Sequence, residues 1–287
     1  RQAQIDPSCG VVGISHSGIT KTTVDALRDA KARGVATVAV THFEGRPISA
    51  QAGVTLLAGN GPDLSRCHTK CFVGGALAAA MVGMEWRSSR RGLSRLAEDS
   101  LLESLRNLPA TLDGVLRNVD GLARELAEKY VSRKTVFVLG SGPNETTALE
   151  AALKIKETSF LAAEGMETEQ FLHGSWQCLD RDCLVIVIAP RGPSVARSLD
   201  LARAARTVGA SVLAIATEAE RDLVASVDDA ILLPETNEFI SVFVNIIPLY
   251  LFAYYSSVAR GQNPDVLRYL EPPYWEARQF VFPPGTH

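Results

Sequence analysis

Apolar positions along the chain keep two alternating rhythms. Short, nearly continuous apolar runs occur at "GVVGIS" (10–15), "VATVAVT" (35–41) and "GVTLLA" (53–58), and they read as strands. After the first run, "TTVDALRDAKARG" places Val24, Ala26, Leu27 and Ala30 at helical spacing and stops at Gly34. Two long helical stretches follow, at about 66–86 and 92–131. The second is charged along one face and is the candidate connector. The first pattern then restarts with "TVFVLGSG" (135–142), "CLVIVIAP" (183–190), "SVLAIAT" (211–217) and "DAILLP" (229–234). Short β-rich runs separated by helices indicate parallel sheets covered by helices on both faces. The expected fold class is α/β, in two halves that share one plan. The segment "NEFISVFVNIIPLYLFAYYSSVARG" (237–261) is apolar nearly all round, which predicts a buried helix, in a core or at a subunit interface. The tail "QNPDVLRYLEPPYWEARQFVFPPG" holds too many prolines for one regular helix, and its Tyr269, Tyr274 and Trp275 need a surface to lie on.

Composition narrows the classes without naming a function. With 287 residues, 46% of them apolar, and a net charge of −3, the chain can bury an ample core and carries no nucleic-acid footprint. No uninterrupted transmembrane span is expected, since "NIIPLYLFAYY" is short and contains Asn245 and Pro248. Five cysteines without framework spacing fit a reducing cytoplasm. Cys67 and Cys71 would share a helix face with His68 between them, but no further ligands stand at matching spacing. The reading is buried thiols, with no metal.

The stretch "GISHSGIT" (13–20) sits where the first strand turns into the first helix. Ser15, Ser17 and Thr20 can bring hydroxyls to the unsatisfied amides of a helix start, where the helix dipole favours an anion. Gly18 lets the backbone come close. The plainer alternative is an ordinary helix cap, since Ser and Thr begin helices widely. In the second half, Glu150, Lys154 and Glu157 fall along roughly one helix face. Glu157 can serve as a proton-transfer base or simply as a solvated carboxylate paired with a neighbouring lysine.

Two motifs taken together carry a family resemblance. "GISHSGIT" followed by a helix and "VATVAVT" resembles the first motif of the sugar isomerase (SIS) domain. "LGSGPNETTALEAALKIKETSFLAAEGMETEQFLHG" (139–174) resembles the second SIS domain in the isomerase part of glucosamine-6-phosphate synthases, and also fructosamine-6-phosphate deglycases. "TKCF" (69–72) and "RYL" (268–270) extend the match over nearly the whole chain. The resemblance implies two SIS subdomains, each a parallel sheet between helix layers. Their expected bounds are 1–131 with the connecting helices, 132–262, and a tail at 263–287 lying over the active site or a neighbouring subunit. It implies that Ser15, His16, Ser17, Gly18 and Thr20 hold the phosphate of a phosphosugar, with Ser141, Thr69, Lys70, Arg268 and Tyr269 near the sugar. Glu157 matches the family's base, Lys154 a lysine on the same helix, and His173 the ring-opening histidine, which reaches the active site of an adjoining subunit. His173 stands sixteen residues after Glu157 and directly before Gly174. A homodimer or larger assembly with shared active sites is therefore implied. The chemistry needs no cofactor.

Three departures from the pattern shape the expectation. His68 replaces a small hydroxyl residue of the family. "NPDVLRYL" lacks the lysine that synthases place in their tail, and no glutaminase segment precedes the first motif. These favour an isomerase, deaminase or deglycase over a synthase. Finally, "RQAQIDPSC" (1–9) supplies no counterpart of "VFVLGSG". Either a segment ahead of Arg1 lies outside this sequence or the first sheet is short, with one strand fewer than the second or an unfilled edge beside 10–15. The expected function is a phosphosugar isomerase or deaminase acting on an amino-sugar or N-linked ketose or aldose phosphate through an enediol or enolamine. The alternative is a non-catalytic phosphosugar sensor, although no basic recognition helix accompanies the motifs.

Overall fold

The structure is a computed structural model and describes residues 5–59, 61, 63–90 and 94–283. The chain divides into two compact units, one formed by Arg1–Asp99 with Arg268–His287 and the other by Ser100–Leu267.

In the first unit the order is β1 (Gly10–Ser15), α1 (Lys21–Ala32), β2 (Ala36–Thr41), α2 (Pro47–Gln51), β3 (Val54–Leu57) and α3 (Lys70–Ser89). The strands form a parallel sheet in the order β1-β2-β3. Alternation along β1 sets the layers. A side chain at Gly13 would strike Leu27 of α1, whereas Ile14 points to Gly75 of α3. Helices therefore cover opposite faces of the sheet. Leu27, Ala39 and Ile48 are fully buried under α1 and α2.

Helix α4 (Arg95–Lys129) runs for 35 residues and passes through Pro109. It leads to β4 (Thr135–Gly140), α5 (Asn144–Ser159), β5 (Ala162–Glu167), α6 (Thr168–Leu172), β6 (Cys183–Ala189), α7 (Val195–Thr207), β7 (Ser211–Ala216), α8 (Arg221–Val224), β8 (Asp229–Leu232) and α9 (Glu238–Ala259). All five strands are parallel, in the order β5-β4-β6-β7-β8. Phe137, Leu139, Val185 and Val187 pack with Phe171 of α6 and Leu201 of α7 on one face. On the other face α5 lies so close that a side chain at Gly140 would land on the carbonyl of Asn144, and one at Gly165 on that of Ala148.

The run β1-β2-β3 repeats the run β6-β7-β8. Among the described residues the first sheet has no counterpart of β4 or β5, so it is two strands shorter than the second rather than the expected one. The miscount traces to β5, which the apolar pattern did not reveal. "AAEGME" has no β-branched residue and lies at the sheet edge. The unfilled edge is where it was expected, because among the described residues β1 pairs only with β2.

Three further expectations change. The helix expected at 66–86 begins at Lys70, since the chain bends at His68 with a φ of 30°. Cys67 therefore precedes the helix and does not share its face with Cys71. Helix α9 is, by length and mean hydropathy of 1.6, long and apolar enough to cross a membrane, contrary to the reading of its core as too short. It instead packs along α5, burying Ile240, Phe243, Val244, Leu249 and Phe252. The tail forms a 3-10 turn (Arg268–Leu270) and α10 (Pro272–Val281), which opens on two prolines in the way helix starts tolerate.

Candidate functional site

Chemistry-bearing residues gather in two places, one in each unit. The first is the turn between β1 and α1. The Ser15 and Thr20 hydroxyls meet at 2.9 Å, and the Gly18 amide donates to the Ser15 hydroxyl at 3.1 Å. The Ser17 hydroxyl accepts from the Ile19 amide at 3.4 Å. Thr20 begins α1 without a side-chain capping bond, so its hydroxyl faces the turn and the plain capping reading fails for it. Gly18 has a φ of 69°, and any side chain there would strike Arg46 and Thr41. The turn is fastened to the neighbouring loop, because the His16 carbonyl accepts from the His42 amide and the Thr41 hydroxyl. The Gly18 carbonyl accepts from the Ile48 amide.

Around this turn the fold gathers residues that are far apart in the chain. The His16 ring lies 4.9 Å from His42 and 4.6 Å from His68, centroid to centroid, with Phe43 edge-on to His16 and His42. Burial, followed by the proximity of His68 and His42, holds the His16 imidazole below its usual pKa. The positive φ of His68 costs about 1–3 kcal/mol for a residue other than glycine. Asp63 supports that bend, as one of its carboxylate oxygens accepts from the Thr69 and Cys71 amides at the start of α3. Thr69 and Lys70 open the same helix, with Lys70 exposed.

The second place is the buried face of α5. Lys154 is almost wholly enclosed, and its ammonium donates to Glu157 at 2.7 Å while lying 3.7 Å from Glu150. Glu157 keeps 26% of its side chain open, against 10% for Glu150. Tyr250 of α9 donates to Glu150 at 3.0 Å. Burial pushes the Glu150 carboxyl above its usual range, opposed by Lys154 and the Tyr250 hydroxyl. Ser141 lies half-buried on the turn from β4 to α5. Beneath that turn, the Asn144 amide donates to Ser241 and its carbonyl accepts from Asn245. His173 ends α6, exposed, with its ring Nδ1 2.8 Å from the Glu169 carbonyl. The described contacts do not join it to Lys154 or Glu157.

Comparison with known proteins spans the segments that hold both places. The SIS domain family profile matches residues 2–80 and 129–260. The chain belongs to the SIS domain family. A glutamine–fructose-6-phosphate aminotransferase (isomerizing) of Thermus thermophilus is 31% identical over 271 residues, covering 94% of this chain and 44% of that protein. The chain thus spans less than half the length of this curated relative. The C-terminal domain of glucosamine-fructose-6-phosphate aminotransferase from Francisella tularensis shares the fold with a TM-score of 0.87 at 22% identity, over 92% of this chain and 75% of that one. Tagatose-6-phosphate ketose/aldose isomerase from Escherichia coli shares it with a TM-score of 0.74 at 22% identity, over 91% and 72% of the two chains.

Within this SIS chain the two remaining expected residues sit in the tail. Arg268 grips Glu271 through two bonds of 2.7 and 2.8 Å and lies over the Tyr274 ring, while the Tyr269 ring stacks under Arg278. These contacts are with other residues of the tail. Tyr250, His42 and Asp63 were absent from the residues expected at either place. The first two stand next to expected ones in space only, so spacing along the chain could not single them out.

Proposed function

We propose that the chain is a phosphosugar enzyme that moves a proton between C1 and C2 of an amino-sugar or N-linked sugar phosphate. In this reading Ser15, Ser17 and Thr20 hold the phosphate with the open amides of α1, and Gly18 permits the close backbone approach. His173 opens the sugar ring, as an imidazole can give and take a proton near neutrality. It acts from a neighbouring subunit of a homodimer. Glu157 takes the proton from one carbon and returns it to the other. Lys154 offsets the negative charge that develops on the oxygen. The enediol or enolamine then ends as the isomer, as free ammonia or as a released amine.

The observation that carries this reading is the enclosed Lys154 held on the partly open Glu157. A solvated surface pair would leave the lysine exposed. Here the ammonium is dehydrated and aimed at the one carboxylate of the face that a substrate can reach. The test is a panel of sugar phosphates and glycated amino acid phosphates, assayed for isomer, ammonia and released amine alongside binding. Turnover of at least one member is expected. Tight binding across the panel with no turnover would replace the enzyme with a phosphosugar sensor.

A further inference from the structure

His16, His68 and Cys71 come from three separate places in the first unit. His16 follows β1, His68 occupies the bend before α3, and Cys71 lies in the first turn of that helix. Their nearest ring nitrogens and sulfur all lie within 4.8 Å of one another. A tetrahedral ion with bonds near 2.0–2.3 Å spaces its ligands about 3.5 Å apart, so side-chain shifts of about 1 Å close the set. Two nitrogens and one sulfur are the donors that a borderline-soft ion selects.

The surroundings favour an ion over a purely packed cluster. The Nδ1 atoms of His16, His42 and His68 are all buried, and none has a hydrogen-bond partner. A folded protein leaves few such atoms unpaired, and three within one cluster call for a reason. Behind His68, a carboxylate oxygen of Asp63 lies 3.9 Å from Nδ1. Asp63 is itself fixed by the two helix amides it accepts from. The 3.9 Å gap is beyond hydrogen-bond reach, but a shift of about 1 Å would make this carboxylate the outer partner that orients His68 to ligate through Nε2. Ser15, Thr41 and Gly75 line a small cleft beside His16 and Cys71, which leaves the cluster approachable.

We propose that His16, His68 and Cys71 form a binding site for one divalent transition-metal ion of the zinc class. Three protein ligands leave a position for an exchangeable small ligand. The site adjoins the hydroxyl turn, and its test uses no sugar, so its failure is distinguishable from a failure of the proposed turnover.

The test is titration of the full chain, first stripped with a chelator, with cobalt(II) as the spectroscopic stand-in for zinc. One equivalent should bind, with a sulfur-to-cobalt charge-transfer band in the near ultraviolet and strong visible bands of a four-coordinate ion. Zinc(II) should erase both. Cys71→Ser should abolish the charge-transfer band, and His68→Asn should weaken cobalt binding by roughly tenfold or more. Asparagine tolerates the positive φ at 68, so that variant tests the ligand without new backbone strain. Cys67→Ser should keep the band. Absence of stoichiometric binding to the wild-type chain overturns the proposal. So does a charge-transfer band that survives Cys71→Ser, or unchanged affinity in His68→Asn. If Cys71→Ser fails to give the native circular dichroism spectrum, the wild-type and His68→Asn titrations decide.

Discussion

Strands β6 and β1 open matching three-strand runs, β6-β7-β8 and β1-β2-β3, but live in different surroundings. β6 is buried at every residue, whereas β1 leaves Val12 36% and Ile14 47% exposed. The difference follows from neighbours. β6 lies between β4 and β7 and is covered on both faces, while among the described residues β1 has β2 on one side only. A strand buried on both faces and both edges contributes its full apolar area, and an edge strand contributes part of it. The second unit thus holds the tightest packing, and the hydroxyl turn rides on the looser one. Binding loops are commonly drawn from the less stable parts of a fold, since they must open and close around a ligand.

The sharpest way to break this comparison is a matched pair of truncations. Ile186→Ala in β6 removes a fully buried side chain and should cost about 2–5 kcal/mol. Val12→Ala in β1 should cost less than about 1 kcal/mol. Urea unfolding measures both, and equal costs would remove the contrast between the sheets.

A second pair separates fold from site. Gly165→Ala would push a methyl into the Ala148 carbonyl, which α5 cannot easily withdraw, and should destabilise by about 3 kcal/mol. Gly18→Ala meets a φ of 69° and the Arg46 side chain, with a strain of about 1–2 kcal/mol. Its main effect should appear as roughly tenfold weaker phosphosugar binding, read by calorimetry. Unaltered binding in Gly18→Ala would detach the turn from the ligand.

The smallest effect concerns Glu150. Burial raises its carboxyl above the ordinary value of 4.5, so the folded state holds that proton more tightly than the unfolded one. Its stabilising contribution is complete below the ordinary value and is lost as pH rises through the raised one. Glu150→Gln should therefore flatten the fall in urea midpoint from about pH 4.5 towards neutrality. A variant curve parallel to that of the wild type would mean that Lys154 and Tyr250 fully offset the burial.

How far the sequence spoke depended on how local each signal was. β1, α1 and α9 were legible because apolar spacing and stop residues such as Gly34 lie within the element itself. β5 was not, because Gly165 is there to let α5 pass, which is a tertiary requirement. The triad of Glu150, Lys154 and Glu157 was legible from helix periodicity, but its enclosure under Tyr250, 100 residues away, was not. His16 and Ser17 were marked out by their turn. The approach of His68 and Cys71 to His16 depends on how α3 crosses the sheet, and no spacing along the chain encodes that crossing. The start of α3 was misplaced for a related reason. Nothing in "RCHTK" announces the left-handed backbone of His68, which the Asp63 carboxylate holds from five residues upstream.

Glu157 is assigned the proton transfer, and solvent deuterium exchange at the carbon next to the sugar carbonyl tests that assignment most directly. In heavy water the wild-type chain should label C1 of fructose 6-phosphate, whose C2 is the carbonyl carbon, and C2 of glucosamine 6-phosphate, and Glu157→Gln should slow both by about 10²–10⁴-fold while still binding the sugar. Exchange at the wild-type rate in the variant would contradict the assignment.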